Sequence, residues 1–272
     1  MNVTPAYILG HADLEIERLQ LQADIIAGVT RRLIRECGIG PGMRVLDIGC
    51  GVGDVSMLLA EAVGATGCVL GFDSEPRAIE VARARALVAG YRNIEFVVAS
   101  DNAFPDRPLF DAAIGRYILH HLADPVATVR RAAEAVRPCG VVAFQEPASH
   151  INDQTLPTID LYAKSEQRLK AVIRATLPHF DVGGRLVACF EGAGLPTPHL
   201  ICEALAGGPA SPLWRVFAMA YRSMLPHMVR LNLAPADDDD SDTLADRLVA
   251  AAAAMRAQII AKPQSCAWAI RP

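Results

Sequence analysis

The feature that most constrains this chain is a short apolar run that contains an acid near its end and leads into three alternating glycines. The run covers Arg44 to Ile48, and positions 49, 51 and 53 are all glycine. From Val55 onward apolar residues recur at three- and four-residue spacing, which is typical of a helix packed on a sheet. A buried parallel strand, a glycine turn and a helix in this order let the backbone approach a nucleotide closely, because glycine has no Cβ.

The glycine spacing distinguishes two kinds of nucleotide site. A dinucleotide fingerprint, G-x-G-x-x-G, would have its third glycine at position 54, which is Asp54. The stretch is instead Asp47-x-Gly49-x-Gly51-x-Gly53. This pattern resembles motif I of the class I S-adenosylmethionine-dependent methyltransferases. The resemblance implies S-adenosyl-L-methionine as cofactor, with Asp47 and the backbone at Gly49 and Gly51 holding its methionine end.

An acid ends the second predicted strand, which covers Cys68 to Asp73. A carboxylate at this tip can accept hydrogen bonds from both ribose hydroxyls of a nucleoside that lies across the first turn, with Ser74 beside it. The alternative is that Asp73 or Ser74 caps the helix predicted from Pro76 to Ala89.

The third predicted strand, Ile94 to Ala99, is also followed by polar residues. Asp101 and Asn102 stand where an acid commonly receives the adenine amino group and a neighbouring N–H meets a ring nitrogen. The alternative is a solvated loop acid.

The fourth and fifth predicted strands extend the resemblance. The run Phe110 to Gly115 leads into H-H-L-x-D-P, and an R-P-x-G turn precedes a strand at 141–147. In this order and spacing, residues 40–147 are similar to methyltransferases of the ubiquinone/menaquinone-biosynthesis type, which include many bacterial small-molecule methyltransferases. Cys139 departs from the glycine usual there. The resemblance implies an α/β fold, a doubly wound, Rossmann-like sheet of seven mostly parallel strands with helical lid insertions.

Two adjacent histidines are candidates for chemistry on the acceptor. The segment Ile118 to Leu122 resembles the I-x-H-D-W segment of plant-type small-molecule O-methyltransferases, in which a catalytic histidine follows the fourth strand. By that resemblance His120 is the general base that takes a proton from a hydroxyl or ammonium group as it is methylated. His121 is then expected in the substrate site. The alternative is that one histidine packs under the lid and the other caps the helix.

A cation is expected near the carboxylate of the cofactor. The candidates are Arg116, which follows the fourth strand, and Arg18, which lies on a long helix predicted from Ala12 to Glu36. Arg18 could instead be a surface charge paired with an acid such as Glu15.

The rest of the chain is expected to surround the substrate. An N-terminal helical arm or lid at 1–40 precedes a cofactor-binding core at 41–148. Residues 149–272 hold the remaining sheet strands, with helical lid insertions at about 150–181 and 206–262.

Aromatic residues of the second insertion share one predicted helix face. Trp214, Phe217 and Tyr221 lie at helical spacing and, together with Tyr7, are predicted to contact the substrate, a small apolar or aromatic metabolite. The alternative is that these helices dimerise or thicken the core.

Composition narrows the range of partners. The net charge of −4 gives no electrostatic case for a nucleic-acid partner, and no apolar run reaches the length of a membrane span. The seven cysteines never have C-x-x-C spacing, and four acids at 237–240 read as a solvated loop, so no metal is expected. The first residues carry no secretion signal, so we expect a cytoplasmic monomer or homodimer.

The sequence therefore predicts transfer of a methyl group to an oxygen or nitrogen atom of a small molecule, with carbon and sulfur as alternatives. Secondary metabolism is the expected setting. One competing function is a methyltransferase acting on RNA or protein, which would need an electropositive groove. The other is a non-catalytic protein that binds S-adenosylmethionine.

Overall fold

The fold was analysed in a computed structural model that describes residues 13–100, 103–234 and 241–272. The strands in chain order are β1 (Arg44–Ile48), β2 (Cys68–Asp73), β3 (Ile94–Val98), β4 (Phe110–Arg116), β5 (Val136–Pro147), β6 (Gln154–Leu156), β7 (His199–Glu203), β8 (Ala206–Gly207), β9 (Gln258–Ile260) and β10 (Gln264–Ile270). The α-helices of the described residues are α1 (Asp13–Glu36), α2 (Asp54–Val63), α3 (Pro76–Val88), α4 (Pro125–Ala135), α5 (Asp160–Thr176), α6 (Leu186–Gly192), α7 (Leu213–Arg230) and α8 (Leu244–Met255).

Seven strands form the central sheet in the order β3-β2-β1-β4-β5-β10-β7. Strands β1 to β5 are parallel, and β10 runs antiparallel to both β5 and β7. The predicted seven-stranded, mostly parallel sheet is confirmed. So is the pairing of its last two strands, although about sixty residues separate them in the chain.

Helices cover both faces of this sheet because the strand residues alternate between two cores. Leu46 and Ile48 of β1 pack on the face of α4 and α6, whereas Val45 packs on the face of α1 and α2. A strand buried on both faces needs apolar side chains in both directions, which explains the continuous apolar run in β1.

A separate hydrophobic core, which we call the cap, lies outside this sheet. It consists of α5, α7, α8 and a three-stranded sheet in the order β6-β9-β8. The insertions were predicted to be helical, and the structure differs by adding these strands to them. Each strand has only two or three residues, too few for an alternating pattern to stand out in the sequence.

Three local boundaries also differ from the prediction. Helix α1 is continuous, and β5 already begins at Val136, running through the predicted R-P-x-G turn with a register shift opposite β4. The helix predicted from Gly183 to Gly194 is a 3₁₀ turn, Val182–Gly184, followed by the shorter α6. In the described parts of the chain, no helix combines the length and apolar character needed to cross a membrane.

Candidate active site

The carboxyl ends of β1, β2, β4 and β5 meet at one edge of the sheet, where most of the predicted site residues lie. The glycine turn after β1 has left-handed backbone at both Gly49 (φ 67°) and Gly51 (φ 52°). A Cβ on Gly49 would lie 2.7 Å from the side chain of Ile118, whereas one on Gly51 would meet nothing within 4 Å. Gly49 is thus required by packing, and Gly51 leaves open backbone that a ligand can approach.

Asp47 lies within the sheet beside this turn. Its side chain is buried and accepts a hydrogen bond of 2.5 Å from the Ser56 hydroxyl of α2. Burial raises the pKa of Asp47 to about 7, against the opposing effects of the Ser56 hydrogen bond and the charge of Arg116. The carboxyl group joins β1 to α2 at the glycine turn. Its contact with the methionine end of a cofactor remains a prediction.

Asp73 connects the tip of β2 to the glycine turn. Its Oδ2 accepts a hydrogen bond from the Gly51 N–H at 2.9 Å, and its Oδ1 accepts one from the Glu75 N–H at 3.0 Å. Glu75 is the residue that caps α3, by accepting from the Arg77 N–H, and Ser74 is exposed. The capping alternative therefore holds for neither Asp73 nor Ser74. Each carboxylate oxygen can accept more than one hydrogen bond, so Asp73 can also receive ribose hydroxyls.

Arg116 lies in a buried polar network that the sequence did not reveal. Its guanidinium donates to the Thr30 hydroxyl of α1 at 3.1 Å, and that hydroxyl donates to Gln145 Oε1 at 2.8 Å. Gln264 Oε1 accepts from the Gln145 amide at 3.5 Å and from the Tyr117 hydroxyl. Burial lowers the pKa of Arg116, yet no carboxylate of the described residues forms an ion pair with it. A buried cation whose printed partner is neutral suits an anionic ligand group.

Tyr117 has an unusual backbone conformation for a bulky residue, with φ at 58°. Its N–H donates to the Gln145 carbonyl at 2.9 Å, and its hydroxyl donates to Gln264. Burial raises the pKa of the Tyr117 phenol. Strain of this kind persists where the surroundings hold the residue from several sides, and it is concentrated at functional sites.

His120 is paired with a buried carboxylate. It lies in the 3₁₀ turn Leu119–His121, and its Nδ1 is 2.5 Å from Glu146 Oε2 at the end of β5. The other oxygen of Glu146 accepts from the N–H groups of Ile118 (2.9 Å) and Leu119 (2.8 Å). Glu146 is fully buried, so these contacts replace its hydration. The sequence analysis missed Glu146, although its place at the end of the strand beside β4 was a usable signal.

His121 lies against His120, with ring centroids 4.1 Å apart. Burial, with a smaller contribution from the neighbouring His120, lowers the pKa of His121 well below 6.5. His121 is therefore neutral at neutral pH. Its contact with a substrate remains a prediction.

Arg18 is buried in α1 and donates a hydrogen bond of 2.5 Å to Gln22. The alternative that it is a surface charge is therefore wrong. Tyr7, Asp101 and Asn102 lie outside the described residues, and their predicted contacts stay predictions.

The aromatic residues of α7 lie inside the cap. Trp214 donates to the Gly208 carbonyl at 2.9 Å, and the Phe217 ring centroid is 4.3 Å from that of Tyr162. Tyr221 is also buried, and its hydroxyl accepts from a nearby arginine of α5. All three side chains thus pack in the cap core, and their predicted contact with substrate remains to be tested.

Comparison with known proteins gives the same family along most of the chain. A family model described as a methyltransferase domain matches residues 39–192. The aklanonic acid methyltransferase DauC of Streptomyces sp. strain C5 is 39% identical over 130 residues, which are 47% of this chain and 59% of that protein. A ubiquinone biosynthesis O-methyltransferase of Neisseria meningitidis is 34% identical over 160 residues, 57% of this chain and 64% of the relative.

The chain therefore spans less than two thirds of the length of these relatives. Among solved structures, the YcgJ protein of Bacillus subtilis has a TM-score of 0.55 at 19% identity, over 90% of this chain and 98% of that one. At this identity the likeness concerns the fold alone, and it extends beyond the sheet into the cap.

Proposed function

This chain belongs to the class I S-adenosylmethionine-dependent methyltransferases, and from that premise we propose that it methylates an oxygen or nitrogen atom of a small, apolar or aromatic metabolite. Carbon and sulfur are the alternative acceptor atoms. The observation that carries this proposal is the carboxyl edge of the sheet. There the open backbone at Gly51, the carboxylate of Asp73 and the guanidinium of Arg116 surround the place where a nucleoside with an amino-acid end would fit.

Each of these groups has a distinct role toward the cofactor. The glycine turn admits the methionine end, the Asp73 carboxylate accepts hydrogen bonds from the ribose hydroxyls, and Arg116 neutralises the cofactor carboxylate. Asp101 and Asn102 are proposed to contact the adenine. When bound, S-adenosylmethionine supplies a methyl group on a positively charged sulfur. The protein contributes position and exclusion of water, worth about 7–11 kcal/mol in well-oriented systems.

On the acceptor side, His120 is the proposed general base, and the cap supplies an apolar wall. His121, Tyr7 and the α7 aromatics are the proposed contacts of that wall. Two relatives support a small-molecule acceptor, since one is named for aklanonic acid and the other for ubiquinone biosynthesis. Secondary metabolism is the setting we propose.

The two competing functions are less well supported. A methyltransferase for RNA would need a strongly basic surface, and the chain carries a net charge of −4. A purely regulatory binding protein would not need a histidine paired with a buried carboxylate at the tip of β5.

The direct test is transfer of a labelled methyl group from S-adenosylmethionine to a panel of phenols, enols, amines and carboxylic acids. We expect label in a small product with the natural protein and loss of that label with Asp73→Ala. Label found only in added RNA or protein would overturn the proposed acceptor class, and no transfer to any acceptor would favour the non-catalytic alternative.

A further inference from the structure

Glu146 is held more firmly than any other group near the acceptor side of the site. One oxygen receives two backbone N–H groups, from Ile118 and Leu119, and the other faces His120 Nδ1 at 2.5 Å. The side chain is fully buried, and it cannot rotate without leaving two backbone donors unpaired. The oxygen that faces His120 is thus fixed in place by the chain itself.

From this geometry we infer that Glu146 is a positioning residue that keeps the proton of His120 on Nδ1, so that Nε2 is the base for a hydroxyl acceptor. The inference rests on the proposed function. An ionised carboxylate can only accept hydrogen bonds, so Nδ1 must carry the proton between them. A neutral imidazole has one ring proton, and its lone pair is then on Nε2.

The methyl-transfer step balances with these groups. The acceptor hydroxyl gives its proton to His120 Nε2, and the acceptor oxygen forms a bond to the methyl carbon. The carbon–sulfur bond breaks, and its electron pair stays on sulfur. The products are a methyl ether, neutral S-adenosylhomocysteine and an imidazolium, which later returns the proton to water. The buried negative charge of Glu146 stabilises that imidazolium.

This arrangement also names the acceptor class. A carboxylic acid is already ionised at neutral pH and needs no base, whereas a phenol or enol arrives with its proton. A buried carboxylate that fixes a histidine tautomer is useful only for the second kind. The acceptor is therefore a weakly acidic hydroxyl group, a phenol or enol.

Glu146→Gln tests the inference because the new side chain has nearly the same shape. The two backbone N–H groups keep the amide oxygen on their side, so the amide nitrogen must face His120 and donate to Nδ1. The ring proton then moves to Nε2, and the base is lost. Long-range proton–nitrogen NMR of the ligand-free protein, assigned with His120→Gln, reads the tautomer at mildly alkaline pH. Glu166→Gln, at a buried glutamate of the cap, is the matched control.

We expect a proton on Nδ1 in the natural protein and in Glu166→Gln, and on Nε2 in Glu146→Gln. Turnover of phenols should fall about 100-fold in Glu146→Gln, while any acceptor that is already ionised should keep its rate. A proton on Nε2 in the natural protein would overturn the inference, and that spectrum needs no variant of Glu146 to fold. Equal turnover of phenols by Glu146→Gln would overturn it too.

The two proposals fail in different ways. If the protein binds S-adenosylhomocysteine but methylates only carboxylates or thiolates, the inference fails and the proposed function stands. If the protein binds no S-adenosylhomocysteine, the proposed function fails, and the acceptor class fails with it.

Discussion

At the scale of single residues, Asp73 bridges the tip of β2 and the glycine turn through the N–H groups of Gly51 and Glu75. We expect Asp73→Ala to weaken binding of S-adenosylhomocysteine by about 3 kcal/mol, because two charge-assisted hydrogen bonds to the ribose are lost. The protein should still fold, since the side chain lies outside the hydrophobic cores. Titration calorimetry and thermal melting measure both effects.

Glu75→Ala is the matched control, because it removes the cap of α3 next to Asp73 without touching the proposed ribose contact. It should cost about 0.5–2 kcal/mol of stability and leave affinity unchanged. Natural affinity in Asp73→Ala would contradict the ribose assignment.

Arg116 can be tested with two ligands that differ only at the amino-acid end. We expect Arg116→Gln to weaken S-adenosylhomocysteine by about 1.5–3 kcal/mol, the value of a hydrogen bond to a charged group. Methylthioadenosine lacks the carboxylate, so its affinity should not change. Calorimetry with both ligands separates the lost ion pair from any disturbance of the Thr30 network.

Arg18→Gln serves as the comparison, because Arg18 is the other buried arginine predicted for this role. A selective loss in Arg18→Gln, with none in Arg116→Gln, would assign the cofactor carboxylate to α1 instead.

The residues that sequence could and could not place differ in how local their signals are. Asp47 and Asp73 each end a strand next to a turn, so a short pattern identifies them. Glu146 was missed because its meaning depends on His120, which is 26 positions earlier on the neighbouring strand end. Thr30 is 115 positions from Gln145, and only the packing of α1 on the sheet brings them together.

At the scale of elements, α7 carries aromatic residues whose spacing predicted one face of a helix, and that face is the one packed in the cap. The same pattern fits a docked helix and a helix that lines a pocket, so spacing alone could not decide between these roles. The short strands β6 and β9 were also beyond the sequence, since they pair across about a hundred residues.

We expect Phe217→Ala to lower the free energy of unfolding by about 3–5 kcal/mol, because the ring is buried against Tyr162. Val216→Ala, on a less buried face of α7, is the matched control and should cost less. If Phe217 also contacts the acceptor, its variant should raise KM for the acceptor. Lost stability with the natural KM would contradict the proposed substrate contact.

At the scale of the whole molecule, α1 joins the two hydrophobic cores. This helix of 24 residues is about 36 Å long. Val29 and Leu33 pack on the sheet, whereas Ile25 packs against the cap core, and Thr30 belongs to the polar network at Arg116. The sheet was predictable because each of its first five strands has its own apolar run. The cap was not, since its core is assembled from segments that are distant in the chain.

The central claim is that the carboxyl edge of this sheet binds S-adenosylmethionine, and titration calorimetry tests it most directly. The account predicts micromolar binding of S-adenosylmethionine and S-adenosylhomocysteine to the natural protein. It predicts negligible binding of NAD, because Asp54 stands where a dinucleotide site needs its third glycine. Tight binding of NAD, with no heat from S-adenosylhomocysteine, would contradict the account.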